Sequence, residues 1–170
     1  MELKLSIFTT ATRPAERGDT FEQSLACYND LSDELVIEGK DWPQEFIWPY
    51  IGQTFQRGYL ACTGDVVIHA DLDFLFHEKS FPDIRAAAQN MLDIGLPAMS
   101  FYKYQFILPD RYNLKSRLVV MVNKRDFGDR VKFNSGGDLC QPSIDGKEIT
   151  QDEIPQAKVP IWNYEKLIKT

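Results

Sequence analysis

Val66, Val67 and Ile68 form a run of β-branched apolar side chains, opened by Gly64-Asp65 and closed by Asp71-Leu72-Asp73. Such a run, bounded by a turn signal, predicts a buried strand. Residues i and i+2 of an extended chain point the same way, so Asp71 and Asp73 are expected to face one side at the strand's C-terminal end. Two carboxylates held that close repel each other. A hard divalent cation such as Mg²⁺ or Mn²⁺ relieves the repulsion and takes oxygen ligands. Ligand sites of open α/β sheets lie just beyond the carboxyl ends of strands, so placement and chemistry agree. A solvated turn is the other reading that Asp-x-Asp alone leaves open.

The chain has 170 residues, enough for one domain with a sizeable core. Its formal net charge is −6 and it has no long basic run, which argues against broad contact with nucleic-acid phosphate or an anionic membrane surface. No apolar stretch is long enough to span a bilayer, and Met1 to Phe8 enters a strand-like pattern without the features of a signal peptide. Cys27, Cys62 and Cys140 are widely spaced and include no Cys-x-x-Cys pair. They read as thiols in a reducing compartment, and a cytoplasmic protein is the expectation. His69, inside the apolar strand, reads as a core histidine. His77, four residues past Asp73, is within reach of the same site.

In chain order, Leu3 to Thr10 predicts a first strand and Thr9 to Asp19 a polar loop. Asp19 followed by Glu22 resembles a capping box, with Phe21, Leu25, Tyr28 and Leu31 as the core stripe of the helix it opens. Leu35, Val36 and Ile37 predict a second strand ending at Glu38-Gly39, which completes a strand–helix–strand unit. Trp42, Phe46 and Trp48 are expected to pack down a loop. Ile51 to Cys62 predicts a helix that buries Ile51, Phe55, Tyr59 and Cys62 and turns Gln53, Gln56 and Arg57 away. After the Asp-x-Asp strand, Pro82 opens a helix on Ile84, Ala87, Ala88, Met91 and Leu92, with Gly95 as its stop. Strands are expected over Pro97–Phe106, Arg117–Asn123 and Val131–Phe133, a turn region at Asp126–Asp129, and a last strand near Ile161, Trp162 and Tyr164. The order implies an α/β domain whose sheet is mostly parallel first and mixed later.

At this point three segments resemble one family. Ile7-Phe-Thr-Thr-Ala-Thr-Arg-Pro14 is similar to the first strand and loop of family-two glycosyltransferases of the GT-A fold. Leu35-Val-Ile-Glu38 looks like that family's apolar run ending in an acid. Residues Gly58 to Asp73 resemble its helix, turn and strand ending in the metal-binding Asp-x-Asp. The match covers residues 3 to 78 with the motifs in the family's order.

The resemblance implies a GT-A-like, Rossmann-like three-layer sandwich over residues 1–170, shortened at its C-terminus. Its mixed, mostly parallel sheet would be flanked by helices. It implies a metal-dependent, inverting transfer of a sugar from a nucleotide-diphosphate donor, a UDP-sugar by similarity, to a hydroxyl acceptor. Thr9, Thr10, Arg13 and Glu38 would cradle the base. Asp71 would approach ribose and metal, and Asp73 would bind Mn²⁺ or Mg²⁺ directly. The family's Arg-Asn pair on the helix falls here on Phe55-Gln56, with Arg57 one place later as the nearest candidate. Asp138, at the end of Gly136-Gly-Asp in a loop of the second half of the chain, is the candidate base, ahead of Asp110, Asp129 and Asp145. The family's C-terminal histidine has no counterpart after His77. Two other readings stand beside this one: a nucleotidyltransferase, which would need a more basic loop than Thr9 to Gly18, and a non-catalytic domain that binds a nucleotide sugar.

Overall fold

The computed structural model describes residues 1–40, 48–116, 121–133 and 141–164. The first half contains β1 (Leu5–Thr10), α1 (Pro14–Arg17), α2 (Phe21–Leu31), β2 (Glu34–Glu38), α3 (Trp48–Ala61), β3 (Val66–His69), β4 (Phe74–Leu75) and α4 (Phe81–Asp93). There follow β5 (Ala98–Leu108), β6 (Arg111–Ser116), β7 (Met121–Asn123), α5 (Lys124–Phe127), β8 (Val131–Lys132), β9 (Ser143–Ile144), β10 (Lys147–Glu148) and β11 (Gln156–Asn163).

The main sheet runs β2-β1-β3-β7-β5-β11-β4, with β6 paired to β5. β1 is parallel to both β2 and β3, and β5 is parallel to β11. The other pairings, β3–β7, β5–β7, β5–β6 and β4–β11, are antiparallel. The domain is thus α/β with a mixed sheet, not a mostly parallel one. β8, β9 and β10 form a separate three-stranded sheet.

Helices cover both faces. α2 and α4 bury Tyr28, Leu31, Ile84, Ala88 and Met91 against Leu5, Ile7 and Ile68. α3 lays Ile51, Phe55 and Tyr59 on Phe8, Val67 and Val122, with Val131 and Phe133 in the same core. β3 therefore sends Val67 to one helical layer and Ile68 to the other, which is why its sequence is apolar without alternation. α3 comes close to β1 at Gly58, where an added Cβ would lie 2.6 Å from the buried Phe8 ring.

Several local expectations are corrected. α2 has Thr20 as its N-cap, without a side-chain cap bond. Its buried residues are Ser24, Tyr28 and Leu31, while Phe21 and Leu25 stay half-buried. The Ser24 hydroxyl donates to Leu72 O at 2.5 Å, which rotates the helix toward the sheet edge. Gln56 is buried, because its Oε1 accepts from Phe133 N at 2.7 Å. Residues 126–129 are part of α5 and a short 3₁₀ turn. The last strand begins at Gln156, ahead of Ile161. The β5–β6 hairpin continues past Phe106 to Leu108, since β6 pairs with it. The packing expected of the aromatic loop, residues 41–47, lies outside the described residues, as does residue 138.

The strand starts are fastened by bonds to a half-buried carboxylate. Glu34 Oε2 accepts from the Ser6 hydroxyl and from Thr63 N at 2.7 Å, and Oε1 from Thr63 Oγ1 at 2.9 Å. Burial alone would raise the Glu34 carboxyl, but these donors outweigh it and hold it below its ordinary value of 4.5. A depressed folded value stabilises above the unfolded one and is lost as pH falls through the folded one. Glu34→Gln should therefore cost about 1–2 kcal/mol at neutral pH. The gap to wild type should narrow in urea melts as pH falls below 4.5 and close once it passes the lowered folded value. A gap that stays constant with pH would refute the assignment.

Candidate active site at the carboxyl edge of the sheet

The parallel registers decide the site. Thr10 of β1 lies beside Glu38 of β2, and Phe8 lies beside His69 of β3. The ladder continues with Ala70 N donating to Phe8 O at 3.1 Å. The Thr9–Arg13 loop, Glu38 and Asp71 therefore leave the sheet at one edge.

Two bonds tie the first two loops. Ala11 N donates to Glu38 O at 2.8 Å, and Thr12 Oγ1 donates to Gly39 O at 3.0 Å. Gly39 has φ +90°, and a Cβ there would stand 3.0 Å from Thr12 Oγ1, so the crossing of these loops requires glycine. Arg13 holds a left-handed conformation with φ 45° directly before Pro14. That combination is costly for a side chain other than glycine or asparagine.

α3 brings Arg57 to the same edge. Its Nε lies 3.5 Å from Glu38 Oε2. The pair borders an open cleft of about 350 Å³ lined by Ile37, Glu38, Gly39, Lys40 and Arg57. Both side chains are partly exposed, so their attraction adds little to stability. Just inside this edge two buried polar atoms, Thr9 Oγ1 and Gln56 Nε2, find no hydrogen-bond partner among the described residues.

After Ala70 the chain turns. Phe74 N donates to Asp71 O at 3.0 Å, so residues 71–74 are a turn and not an extended continuation of β3. The period-two argument for Asp71 and Asp73 has no footing there. The turn is pinned from below by the Tyr28 hydroxyl, which bonds Asp71 O and, at 2.6 Å, Phe74 O. Burial, then the charges of Asp71 and Asp73, hold the Tyr28 phenol well above its usual range, so it remains a donor at all working pH. Both carboxylates therefore act on one buried hydroxyl. Asp71 is about two-fifths exposed. Asp73 keeps Oδ1 buried.

His69, expected in the core, lies within an aromatic box. Its ring stacks on Phe8 at 4.8 Å and meets Phe55 at 4.2 Å. Its Nε2 stands 3.5 Å from Asp71 Oδ1. The spacing of two between His69 and Asp71 was the available signal. His77 caps the following 3₁₀ turn, with Nδ1 accepting from Lys79 N at 3.2 Å. Lys103 is the other residue that sequence reasoning missed: it is 1% exposed, with Nζ 5.9 Å from the centre of the Phe74 ring.

Neither described cysteine is poised as a nucleophile. Burial pushes the Cys62 thiol up to about 12 and raises Cys27 as well. No cluster of three or more His, Cys, Asp or Glu side chains is placed to hold a metal ion among the described residues. No described helix is long and apolar enough to cross a membrane. No protein-family model matches the chain, and no curated protein matches it.

Proposed function

We propose that the chain is a GT-A-like glycosyltransferase that takes a nucleotide-diphosphate sugar at this edge and passes the sugar to a hydroxyl acceptor. The observation that carries the reading is the meeting of Glu38 and Arg57 at the cleft mouth, beside the strand ends that present Thr10 and Asp71. A carboxylate that accepts and a guanidinium that donates suit the imide edge of uracil, and Thr10, beside Glu38, borders the approach, while Thr9, expected there, is fully buried behind it. Arg13, at the turn of the same loop, stands where it can follow the base or ribose.

The residues present fit a divalent cation. Asp71, partly exposed, and Asp73 sit on one turn over the Tyr28 hydroxyl and supply carboxylate oxygens, and Mg²⁺ or Mn²⁺ at nucleotide sites commonly takes one or two carboxylates, with substrate phosphates completing its shell. When bound, the ion supplies Lewis-acid stabilisation of the departing diphosphate. The protein's own part is to hold Asp71 still. The Tyr28 hydroxyl fixes its backbone, and His69 faces its side chain. Asp138, outside the described residues, is kept as the group that takes the proton from the acceptor hydroxyl.

A nucleotidyltransferase is disfavoured by the loop after β1. Between Thr9 and Gly18 it carries one glycine and two cations, Arg13 and Arg17, short of the glycine-rich basic loop that phosphate transfer of that kind needs. A purely binding domain differs from the enzyme in turnover of donor. The experiment is calorimetric titration of uridine diphosphate and guanosine diphosphate into wild type and Glu38→Gln. Uridine diphosphate is expected to bind more tightly, and the substitution to weaken it about tenfold, near 1.4 kcal/mol. Equal affinity for both nucleotides in both proteins would end the proposal.

A further inference from the structure

We propose that the outer face of β5, β6 and β11 is the acceptor subsite and that the acceptor is a neutral oligosaccharide. The inference rests on the glycosyltransferase reading above and extends it to the second substrate. Pairing puts Tyr104 beside Leu114 and Trp162, and Phe106 beside Tyr112. These rings form a continuous lattice. Tyr104 lies 4.4 Å from Tyr112 and 5.5 Å from Trp162, centre to centre. Phe106 stacks on Trp162 at 5.4 Å and on Tyr164 at 4.7 Å, with interplanar angles of 14° and 9°. The lattice is part of neither hydrophobic core. Tyr112 is 50% exposed and Leu114 66%.

Position connects this lattice to the donor site. Ala98 of β5 pairs with Val122 of β7, and both belong to the core beneath α3. Tyr102, Tyr104 and Phe106 follow Ala98 at even spacing, so they lie on the α3 face, the face that carries Arg57's helix and His69. β5 is antiparallel to β7, which is antiparallel to β3, so β5 runs with β3. Phe106 and Tyr164 therefore approach the same carboxyl edge as Asp71. β4, which begins three residues past Asp71, pairs directly with β11 at Trp162.

The chemistry selects the occupant. Leu75, Leu114 and Pro160, which flank the rings in the paired registers, carry no charge; Arg111 and Lys115 alternate with Tyr112 and Leu114 along β6 and so take its opposite face, and Lys158 stands toward the far end of β11. A phosphate-bearing partner would need cations among the rings. Pairing with a second copy is an outcome the test below separates, and a purely apolar surface would strip water from the phenol hydroxyls without replacing their bonds. A neutral sugar does neither. Its C–H faces meet the negative faces of the rings, and its hydroxyls exchange hydrogen bonds with tyrosine tips.

The test uses the full chain. Cellohexaose, maltohexaose, chitohexaose and mannohexaose are titrated at millimolar concentration, followed by calorimetry and tryptophan fluorescence, with uridine diphosphate titrated separately. At least one oligosaccharide should bind, Tyr112→Ala should weaken it about tenfold, and Tyr112→Phe, which keeps the ring, should lose much less. Uridine diphosphate affinity should be the same in all three proteins. The proposal is overturned if none of the four binds, if binding is indifferent to Tyr112→Ala, or if light scattering shows a dimer that Tyr112→Ala converts to monomer. Oligosaccharide binding without uridine diphosphate binding would keep this face and remove the donor reading, so the two failures are separable.

Discussion

Asp71→Asn should reduce sugar transfer by about 100-fold or more and abolish any gain in uridine diphosphate affinity that Mn²⁺ confers. The argument is positional. Asp71 follows directly on the carboxyl end of β3, at the edge shared by Thr10 and Glu38. Its carboxylate is partly exposed, whereas Asp73 has one oxygen buried. Asparagine keeps the shape of the side chain and removes its charge. The fold should be spared, because the turn is held through the Asp71 backbone oxygen, which accepts from Tyr28, and not through the carboxylate. A cation shared between protein and diphosphate should make the nucleotide bind more tightly with Mn²⁺ than with chelator, and the variant should lose that difference. Calorimetric titration in the four conditions, with a thermal melt of each protein, measures both effects. If wild type binds uridine diphosphate equally with Mn²⁺ and with chelator, the metal assignment fails. If only Asp73→Asn removes the difference, the role passes to Asp73.

Gly64→Ala should destabilise the protein by about 3 kcal/mol, at the upper end of ordinary overpacking costs. Gly64 lies directly on the start of β1. A Cβ at this position would stand 2.5 Å from Ser6 Oγ, 2.8 Å from Lys4 O and 2.9 Å from Ser6 N. Two of those atoms are backbone, and the third is engaged, since Ser6 Oγ accepts from Gly64 N at 2.9 Å and donates to Glu34. None can move without opening the β1–β3 ladder or the carboxylate anchor at Glu34. Gly95→Ala is the informative comparison. Gly95 has φ +68° but nothing within 4 Å of its added Cβ, so only backbone strain of about 1 kcal/mol applies. In a chain of this size the Gly64 variant should melt roughly 6–12 °C lower and the Gly95 variant a few degrees lower. Similar melting temperatures for the two would show that the approach at Gly64 relaxes freely.

The amino-acid sequence was most informative where one local property decides one local structure. Glu34–Glu38 is a strand as expected, and Leu5–Thr10 and Val66–His69 fall inside their expected ranges, because short runs of β-branched and apolar residues bounded by turn residues favour strands; β1 and β3 are buried between the two helical layers, whereas β2 is a half-exposed edge. α4 likewise follows from Pro82 in its first turn, the apolar stripe through Ile84, Ala88 and Met91, and the positive φ of Gly95. The adjacency of β1, β2 and β3, and hence a shared edge for Thr10, Glu38 and Asp71, follows from the helices between those strands.

What lay beyond local pattern was settled by partners distant in the chain. Two acids in a strand-like sequence predict an extended Asp-x-Asp, yet the chain turns at Asp71, because the Tyr28 hydroxyl holds both ends of the turn from 43 and 46 residues away. Gln56, a polar residue on a helix, reads as solvent-facing, yet burial becomes favourable once Phe133 N, 77 residues on, needs an acceptor. The short β4 carries no periodicity of its own and exists as a strand through β11. The aromatic lattice likewise required three strands to pair before its rings could meet. Propensity and spacing act over a few residues and so determined the strands, the helices and their order. The turn at Asp71 and the burial of Gln56 were decided by the folded structure, because a hydrogen bond across a long loop forms only after the rest of the chain has met the entropy cost of bringing its ends together.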